Sequence, residues 1–251
     1  MNNVVTDAIN LKSYNLSESD KIIVMYSKDL GLIKGVAKGV KKPKSKLGAR
    51  MDSLVANKIM LYKGKNLDTI CQAESLNTFT ETRKDLDKLV YSSYISEIVS
   101  IFGVEEDPSS KEIYELFYKA LEKISHSKQK KDVMIAVIKF QLKMMLIAGL
   151  GLEFDSCLCC REQILEENMY FSLQMGGVVC EECNESLNVK LKFHHKIRDF
   201  LQAMTQFDFD YESEYDEKAT DKVCEVCFNL LNDYIQSHSN KKIRTLSVVN
   251  A

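Results

Sequence analysis

Eight cysteines carry the clearest chemical pattern in this chain, because four of them fall into two spaced pairs. Cys157 and Cys160 form one C-x2-C pair, Cys180 and Cys183 form a second, and 19 residues separate the pairs. Two intervening residues allow a tight turn to present both sulfurs to one ion, at about 2.3 Å from the metal. The spacing predicts a zinc site with four thiolate ligands. The alternative is a set of buried or redox-active cysteines.

Four thiolates predict a structural zinc ion, because a complete tetrahedron leaves no position for water or substrate. Binding of this kind contributes about 10 kcal/mol or more to folding, so it can order a segment that has little apolar core. Cys159 is expected to be a bystander. His194 and His195 are expected to be surface residues at the start of the next helix.

The segment between the two cysteine pairs has the pattern of a hairpin. Residues 169–179 contain two short apolar runs joined by Gly176-Gly177, which predicts two strands and a turn. Such a hairpin would fold the second cysteine pair back onto the first. This is the layout of a zinc ribbon, expected at about residues 155–188.

Charge is unevenly distributed along the 251 residues. Residues 1–80 carry 13 Lys or Arg and 7 Asp or Glu. The remaining residues carry 21 Lys or Arg and 29 Asp or Glu. A basic front end and an acidic back end predict that an anionic partner, expected to be nucleic acid, meets the amino-terminal part.

The most basic segment, residues 34–50, has seven cations and no acid. These candidate DNA-binding residues are Lys34, Lys38, Lys41, Lys42, Lys44, Lys46 and Arg50. Gly, Pro and Ser among them predict a mobile loop that follows a phosphate backbone, although a solvated surface is the alternative. Aromatic residues are few in this region: Tyr14, Tyr26, Tyr62 and Phe79. Binding is therefore expected to be largely electrostatic and indifferent to sequence.

The length predicts two domains. Five short strands are predicted in residues 1–80, with a break at residues 39–49, and no helix there is long enough to cover an open sheet. This pattern indicates a small closed barrel of the OB type, with an SH3-like barrel as the alternative. Domain one, the DNA-binding domain, is placed at residues 1–80.

From Thr80 the apolar residues recur at helical intervals, which predicts a helical domain over residues 81–251 with the zinc ribbon inserted in it. Helices are expected at about residues 86–102, after Asp107-Pro108, and at 130–149, 195–207 and 219–237. The helix at 130–149 is expected to be central, and Lys139 and Lys143 make it unsuitable as a bilayer span.

Three smaller features receive structural interpretations. The acidic stretch at residues 208–217 has six carboxylates and no cation, and is most simply a solvated loop. Cys224 and Cys227, at positions i and i+3 of the last helix, are expected in the core, with a second metal site or redox pair as the alternative. Cys71, on a strand, is also expected in the core.

The amino terminus has no basic leader followed by an apolar run, so no secretory signal is expected. Cysteines in C-x2-C units without an export signal indicate a reducing cytoplasm.

Several segments together give the chain a resemblance to the RecO family of bacterial recombination mediators. They are residues 17–21 (SESDK), 31–39 (GLIKGVAKG), 44–47 (KSKL), the paired cysteines, Tyr170-Phe171-Ser172 and Gly176-Gly177. The resemblance runs nearly end to end and implies an OB-fold domain followed by a helical domain with a zinc ribbon. It also implies a bacterial, nucleoid-associated protein that binds single- and double-stranded DNA, anneals complementary strands, interacts with RecR and single-strand DNA-binding protein, and supports RecA loading.

A DNA-binding mediator of this kind needs no covalent chemistry, so the chain is expected not to be an enzyme. A thiol oxidoreductase lacks the βαβ context here, and a zinc hydrolase would need an open metal site. A zinc-ribbon adaptor that binds only proteins is the remaining alternative.

Overall fold

The computed structural model describes residues 3–206, 208–209 and 214–248. Contacts divide the chain into two compact units. The first comprises the residues up to His126 together with those from Ile243 onward, and the second comprises Ser127–Lys242. The predicted domain boundary near residue 80 stays a prediction.

Five strands of the first unit close into a barrel in the order β1-β2-β3-β5-β4. They are β1 (Asn3–Asn15), β2 (Lys21–Ser27), β3 (Gly31–Ala37), β4 (Ala56–Tyr62) and β5 (Asp68–Asn77). The long β1 closes the barrel because residues 8–15 pair with β2 and residues 3–9 pair with β4; the pairing with β2 has an irregularity between Asn10 and Lys12. Among the described strand pairs of this barrel, the short β3–β5 pairing is parallel and the others are antiparallel. The predicted OB-type barrel is confirmed.

Alternate residues of these strands point into the barrel and form its apolar core. The core also takes Val40, Leu47 and Met51 from the connection between β3 and β4. The strand residues in the core are Ala8, Ile23, Met25, Ile33, Ala37, Ile59, Leu61 and Ile70.

Two helices complete the main part of the first unit: α1 (Leu86–Phe102) and α2 (Ser110–His126). The Asp85 carboxylate accepts a hydrogen bond from the backbone N–H of Lys88 and caps α1. Helix α2 begins later than Asp107-Pro108 suggests, because the Asp107 carboxylate accepts from the N–H of Ser109 in a turn that precedes the helix.

A close contact joins the start of β3 to the segment after α1. Gly31 has a φ of +66°, and a Cβ there would lie 2.3 Å from the carbonyl oxygen of Val104. The N–H of Leu32 donates to that same oxygen at 2.8 Å. Only glycine fits this position.

The carboxy-terminal segment returns to the first unit. The Glu97 carboxylate on α1 accepts hydrogen bonds from the N–H of Arg244 at 3.1 Å, the N–H of Thr245 at 2.9 Å and the Thr245 hydroxyl at 2.6 Å.

The second unit combines helices with a small sheet of strand order β7-β6-β8. Its elements are α3 (Lys130–Ile147), β6 (Asn168–Ser172), β7 (Gly177–Val179), α4 (Glu181–Leu187), β8 (Lys192–His194), α5 (His195–Gln206), α6 (Glu214–Lys218) and α7 (Asp221–Ser237). Helix α3 is buried along most of its length, as predicted. Phe207, at the predicted end of α5, lies outside the described residues.

The acidic stretch is not simply a solvated loop. Asp216 lies on α6 and pairs with Lys139 at 3.0 Å, where the two side chains are 12% and 3% exposed. Asp208 pairs with Lys143 at 2.7 Å, and Phe209 beside it is 2% exposed. Residues 210–213 of the stretch lie outside the described residues. The sequence did not reveal these contacts because the lysines lie far away along the chain.

The cysteines outside the two pairs divide between core and surface. Cys224 and Cys227 are fully buried on α7, as predicted, and burial raises the pKa of the Cys224 thiol to about 11. Cys71 is exposed, so the expectation of a core position was wrong. Its neighbour Ile70 points into the barrel, and successive strand residues face opposite sides.

None of the described helices combines the length and apolar character needed to cross a lipid bilayer.

Candidate nucleic-acid interface and candidate metal centre

All seven cations of residues 34–50 are exposed. Among the described residues, no carboxylate forms an ion pair with any of them. Their charge is therefore available to an anionic partner, which distinguishes this surface from an ordinary one where charges of both signs mix. We call residues 38–50 the basic loop.

The basic loop differs from the predicted mobile loop because it is anchored at its start. The Asp20 carboxylate accepts from the N–H of Gly39 at 2.7 Å. Lys41 donates through its backbone N–H to the carbonyl of Ser19 at 3.0 Å, and through its ammonium to the carbonyl of Ser17 at 2.9 Å. The hydrogen bond from Gly39, followed by one from the Ser19 hydroxyl, lowers the pKa of Asp20. The carboxylate thus stays ionised as it holds the loop.

The far end of the basic loop is anchored by two buried amides. Asn10 and Asn57 are 1% and 0% exposed, and the Nδ2 of each donates to the carbonyl oxygen of Arg50 at 2.8 Å. Val40 and Leu47 insert into the barrel core between the two anchors. Sequence reasoning missed these positioning residues, since a single Asn in a strand gives no signal of the carbonyl that it binds.

Strand register adds further cations to the predicted set. Lys12 on β1 and Lys34 on β3 are both opposite Val24 on β2, so they lie in one cross-strand row, and both are exposed. The β4–β5 connection contributes Lys63 and Lys65 at the end of the barrel where the basic loop begins, although Lys63 is paired with a carboxylate. Lys12 could not be assigned from sequence because it is isolated among neutral residues.

Only two of the four aromatic residues of this region are available for stacking. Tyr14 and Tyr62 are 52% and 51% exposed, whereas Tyr26 and Phe79 are buried in the first unit.

Four cysteines of the second unit converge as the spacing predicted. The sulfurs of Cys157, Cys160, Cys180 and Cys183 all lie within 4.8 Å of one another. The β6–β7 hairpin brings the pairs together, since Tyr170 is opposite Val179, the residue before Cys180. Cys180 then caps α4, with its sulfur accepting from the N–H of Cys183.

Backbone donors around Cys157 favour a thiolate. Its sulfur accepts from the N–H groups of Cys159 and Cys180, each at 3.4 Å. Burial raises the pKa of Cys157, but these donors and that of Cys160 outweigh it and hold the pKa at about 6. Hydrogen bonding to Cys180 and then burial raise the pKa of Cys183.

Four sulfurs gathered at one point with backbone N–H support fit a thiophilic cation such as zinc. These residues can therefore hold a metal ion, and zinc as its identity stays a prediction. Cys159 is exposed and lies outside the four-sulfur group. His194 and His195 also lie outside it; His194 is exposed and His195 is partly buried.

Aromatic rings pack around Phe171 on β6 of the β6–β7 hairpin, and the sequence indicated only part of this cluster. The rings of Phe171 and Phe193 lie 5.3 Å apart and those of Phe154 and Phe171 lie 6.1 Å apart. Phe193 comes from β8, whose three residues are too few to show a strand period.

The architecture defines a class of protein in which an OB-type barrel with a basic loop is joined to a helical unit with a four-cysteine centre. Comparison with protein families agrees with this description. The model "Recombination protein O N terminal" matches residues 1–79, and "Recombination protein O C terminal" matches residues 83–247. The chain belongs to the RecO family.

Curated relatives named DNA repair protein RecO are similar over most of the chain. The protein of Clostridium novyi is 28% identical over 246 residues, covering 98% of this chain and 93% of the relative. The protein of Desulforamulus reducens is 30% identical over 239 residues, covering 95% and 91%. The protein of a Nostoc species is 31% identical over 205 residues, covering 78% and 69%.

Proposed function

We propose that this chain is a DNA repair and recombination mediator that binds single- and double-stranded DNA with its barrel and anneals complementary strands. One observation carries the proposal: seven exposed cations at the barrel, none ion-paired with a described carboxylate. The names of its relatives, DNA repair protein RecO, agree with it.

Annealing by such a surface is an electrostatic process. Two complementary strands repel each other through their phosphates, and cations that bind both strands lower that repulsion until bases can pair. The anchors at Gly39 and Arg50 hold the two ends of the basic loop on the barrel, so its cations reach DNA from a defined position. No bond in the DNA is made or broken, and we propose that the chain is not an enzyme.

The four-cysteine centre has a structural role in this proposal. Zinc bound there would join the turn at Cys157 to the start of α4, using a complete set of four thiolates. Because both C-x2-C pairs enter one sulfur group, neither is left as an independent dithiol. This supports a structural site over a thiol oxidoreductase.

The wider role that we propose follows the family. The chain would act in the bacterial cytoplasm at the nucleoid, with RecR and single-strand DNA-binding protein as partners, and would help to load RecA onto coated single strands.

Strand annealing tests the proposal directly. Complementary oligonucleotides carrying a donor and an acceptor fluorophore are mixed with purified chain, with and without single-strand DNA-binding protein. We expect faster energy transfer than without the chain, and a rate that falls as salt increases. Absence of DNA binding even in dilute buffer would refute the proposal and favour an adaptor that binds only proteins.

A further inference from the structure

A row of outward-facing side chains crosses the barrel at the end where the basic loop begins. Strand register places Tyr14 opposite Ile22, Ile22 opposite Val36, Val36 opposite Thr69, and Thr69 opposite Tyr62. Cross-strand partners share one face of a sheet. We call these five residues the tyrosine row.

The tyrosine row lies on the outer surface of the barrel. Adjacent residues on the same strands belong to the core: Ile23, Ala37, Ile70 and Leu61. Because successive strand residues face opposite sides, the row itself must face outward. About half of each tyrosine side chain at its two ends is exposed.

Two exposed lysines lie beside the tyrosine row on the same outer face, one on each side of the buried Val24 of β2. Lys12 is two residues from Tyr14 on β1, with its ammonium 6.0 Å from the ring centroid, and Lys34 is two residues from Val36 on β3. Two lysines beside an aromatic and apolar row match the two sides of an unpaired strand, which has charged phosphates on one side and flat bases on the other.

We propose that the tyrosine row is a base-stacking track for single-stranded DNA, with bases on Tyr14 and Tyr62 and phosphates on Lys12 and Lys34. This inference rests on the proposed DNA binding and deepens it, because it assigns a surface that only unpaired strands can use. A duplex keeps its bases stacked inside, so it contacts the cations and leaves the tyrosines free.

The spacing of the two rings suits a protein that must also allow pairing. Tyr14 and Tyr62 are four strand-to-strand steps apart, or about 19 Å along the sheet at about 4.8 Å per step. They therefore hold separated bases and leave those between unrestrained. Stacking uses the face of a base and leaves its pairing edge accessible to a complementary strand.

The test compares an oligothymidylate with an abasic oligonucleotide of the same length, which keeps the phosphates and lacks the bases. Fluorescence anisotropy should show the chain binding oligothymidylate about 25-fold more tightly, from about fivefold per stacked ring. The double variant Tyr14→Ala/Tyr62→Ala should bind both strands equally, and Tyr14→Phe/Tyr62→Phe should restore the difference. Duplex affinity should be unchanged in all of them.

Leu76→Ala is the matched control, since Leu76 on β5 is 47% exposed and outside the row; its affinities should equal those of the unaltered chain. Equal binding of normal and abasic strands by the unaltered chain would overturn the inference and leave electrostatic DNA binding intact. A base-dependent difference that survives in the double alanine variant would also overturn it. Failure to bind any strand would remove the proposed function together with the inference.

Discussion

Replacing four lysines of the basic loop by glutamine should change how DNA binding responds to salt. Lys41, Lys42, Lys44 and Lys46 are exposed, and none is ion-paired with a described carboxylate. Glutamine removes the charge and keeps an amide N–H donor for the Ser17 carbonyl, which the Lys41 ammonium contacts in the unaltered chain. The core contacts of the loop come from Val40 and Leu47, so the barrel should remain folded.

The magnitude follows from the number of cations. If all seven predicted residues neutralise one phosphate each, affinity for single strands falls with a log-log slope of about −4.9, at about −0.7 per phosphate. Removing four of them leaves three, and the slope becomes shallower, at about −2.1. Between about 50 and 200 mM salt, the unaltered chain should lose about 900-fold in affinity and the variant about 20-fold.

Fluorescence anisotropy with labelled oligonucleotides, measured over a series of salt concentrations, gives both slopes. The control is Lys58→Gln, because Lys58 is exposed on β4 but lies opposite Asp7 and Glu74 on the neighbouring strands. Its slope should equal that of the unaltered chain. An unchanged slope in the fourfold variant would refute the placement of the phosphate contacts on the basic loop. A change confined to some DNA sequences would contradict contacts of the basic loop with phosphates alone.

Three further pairs of substitutions, each a test variant with its control, probe other parts of the structure. Cys180→Ala should abolish retention of zinc measured on purified chain, whereas Cys159→Ala, outside the four-sulfur group, should retain about one equivalent; equal metal content in both would exclude the four-cysteine site. Asp216→Ala should lower the free energy of unfolding of the second unit by about 3 kcal/mol in urea, because it removes an ion-pair partner of the buried Lys139. Asp208→Ala is the control: its carboxylate is 59% exposed, so its loss should cost less than about 1 kcal/mol. Gly31→Ala should lower the melting temperature strongly, because its Cβ would meet the Val104 carbonyl at 2.3 Å. Gly149 has a similar φ of +75° but open space around it, so Gly149→Ala should cost about 1 kcal/mol of stability. Similar losses in both variants would contradict the close contact at Gly31.

Local sequence patterns predicted the elements that are long or strongly spaced. Five strands, the helix at Lys130–Ile147 and the C-x2-C pairs could all be recognised, because each is specified by residues close together in the sequence. Cys71 shows the limit of that reasoning, since its position depends on which of two strand faces meets the barrel core. The closed barrel shows that Ile70 points into the core, so the adjacent Cys71 faces outward.

Features that depend on distant contacts could not be predicted. The acidic stretch has no cation of its own, so its partners Lys139 and Lys143 come from a helix more than 60 residues earlier. The anchors of the basic loop are likewise single residues on other strands, Asn10 and Asn57. In both cases a charged segment that looks solvated in sequence is held by groups that only the fold brings near.

The hydrogen bonds from Arg244 and Thr245 to Glu97 affect how truncated variants of this protein are interpreted. The polypeptide leaves the barrel-bearing unit at His126 and rejoins it at Ile243, so the order of units along the chain is not a simple succession of two. A deletion that trims the last ten or so residues would remove partners of Glu97 and should weaken the barrel-bearing unit, even though the preceding helix, α7, belongs to the unit with the four-cysteine centre. Deletion maps drawn on a linear scheme would then credit the wrong unit with any lost activity.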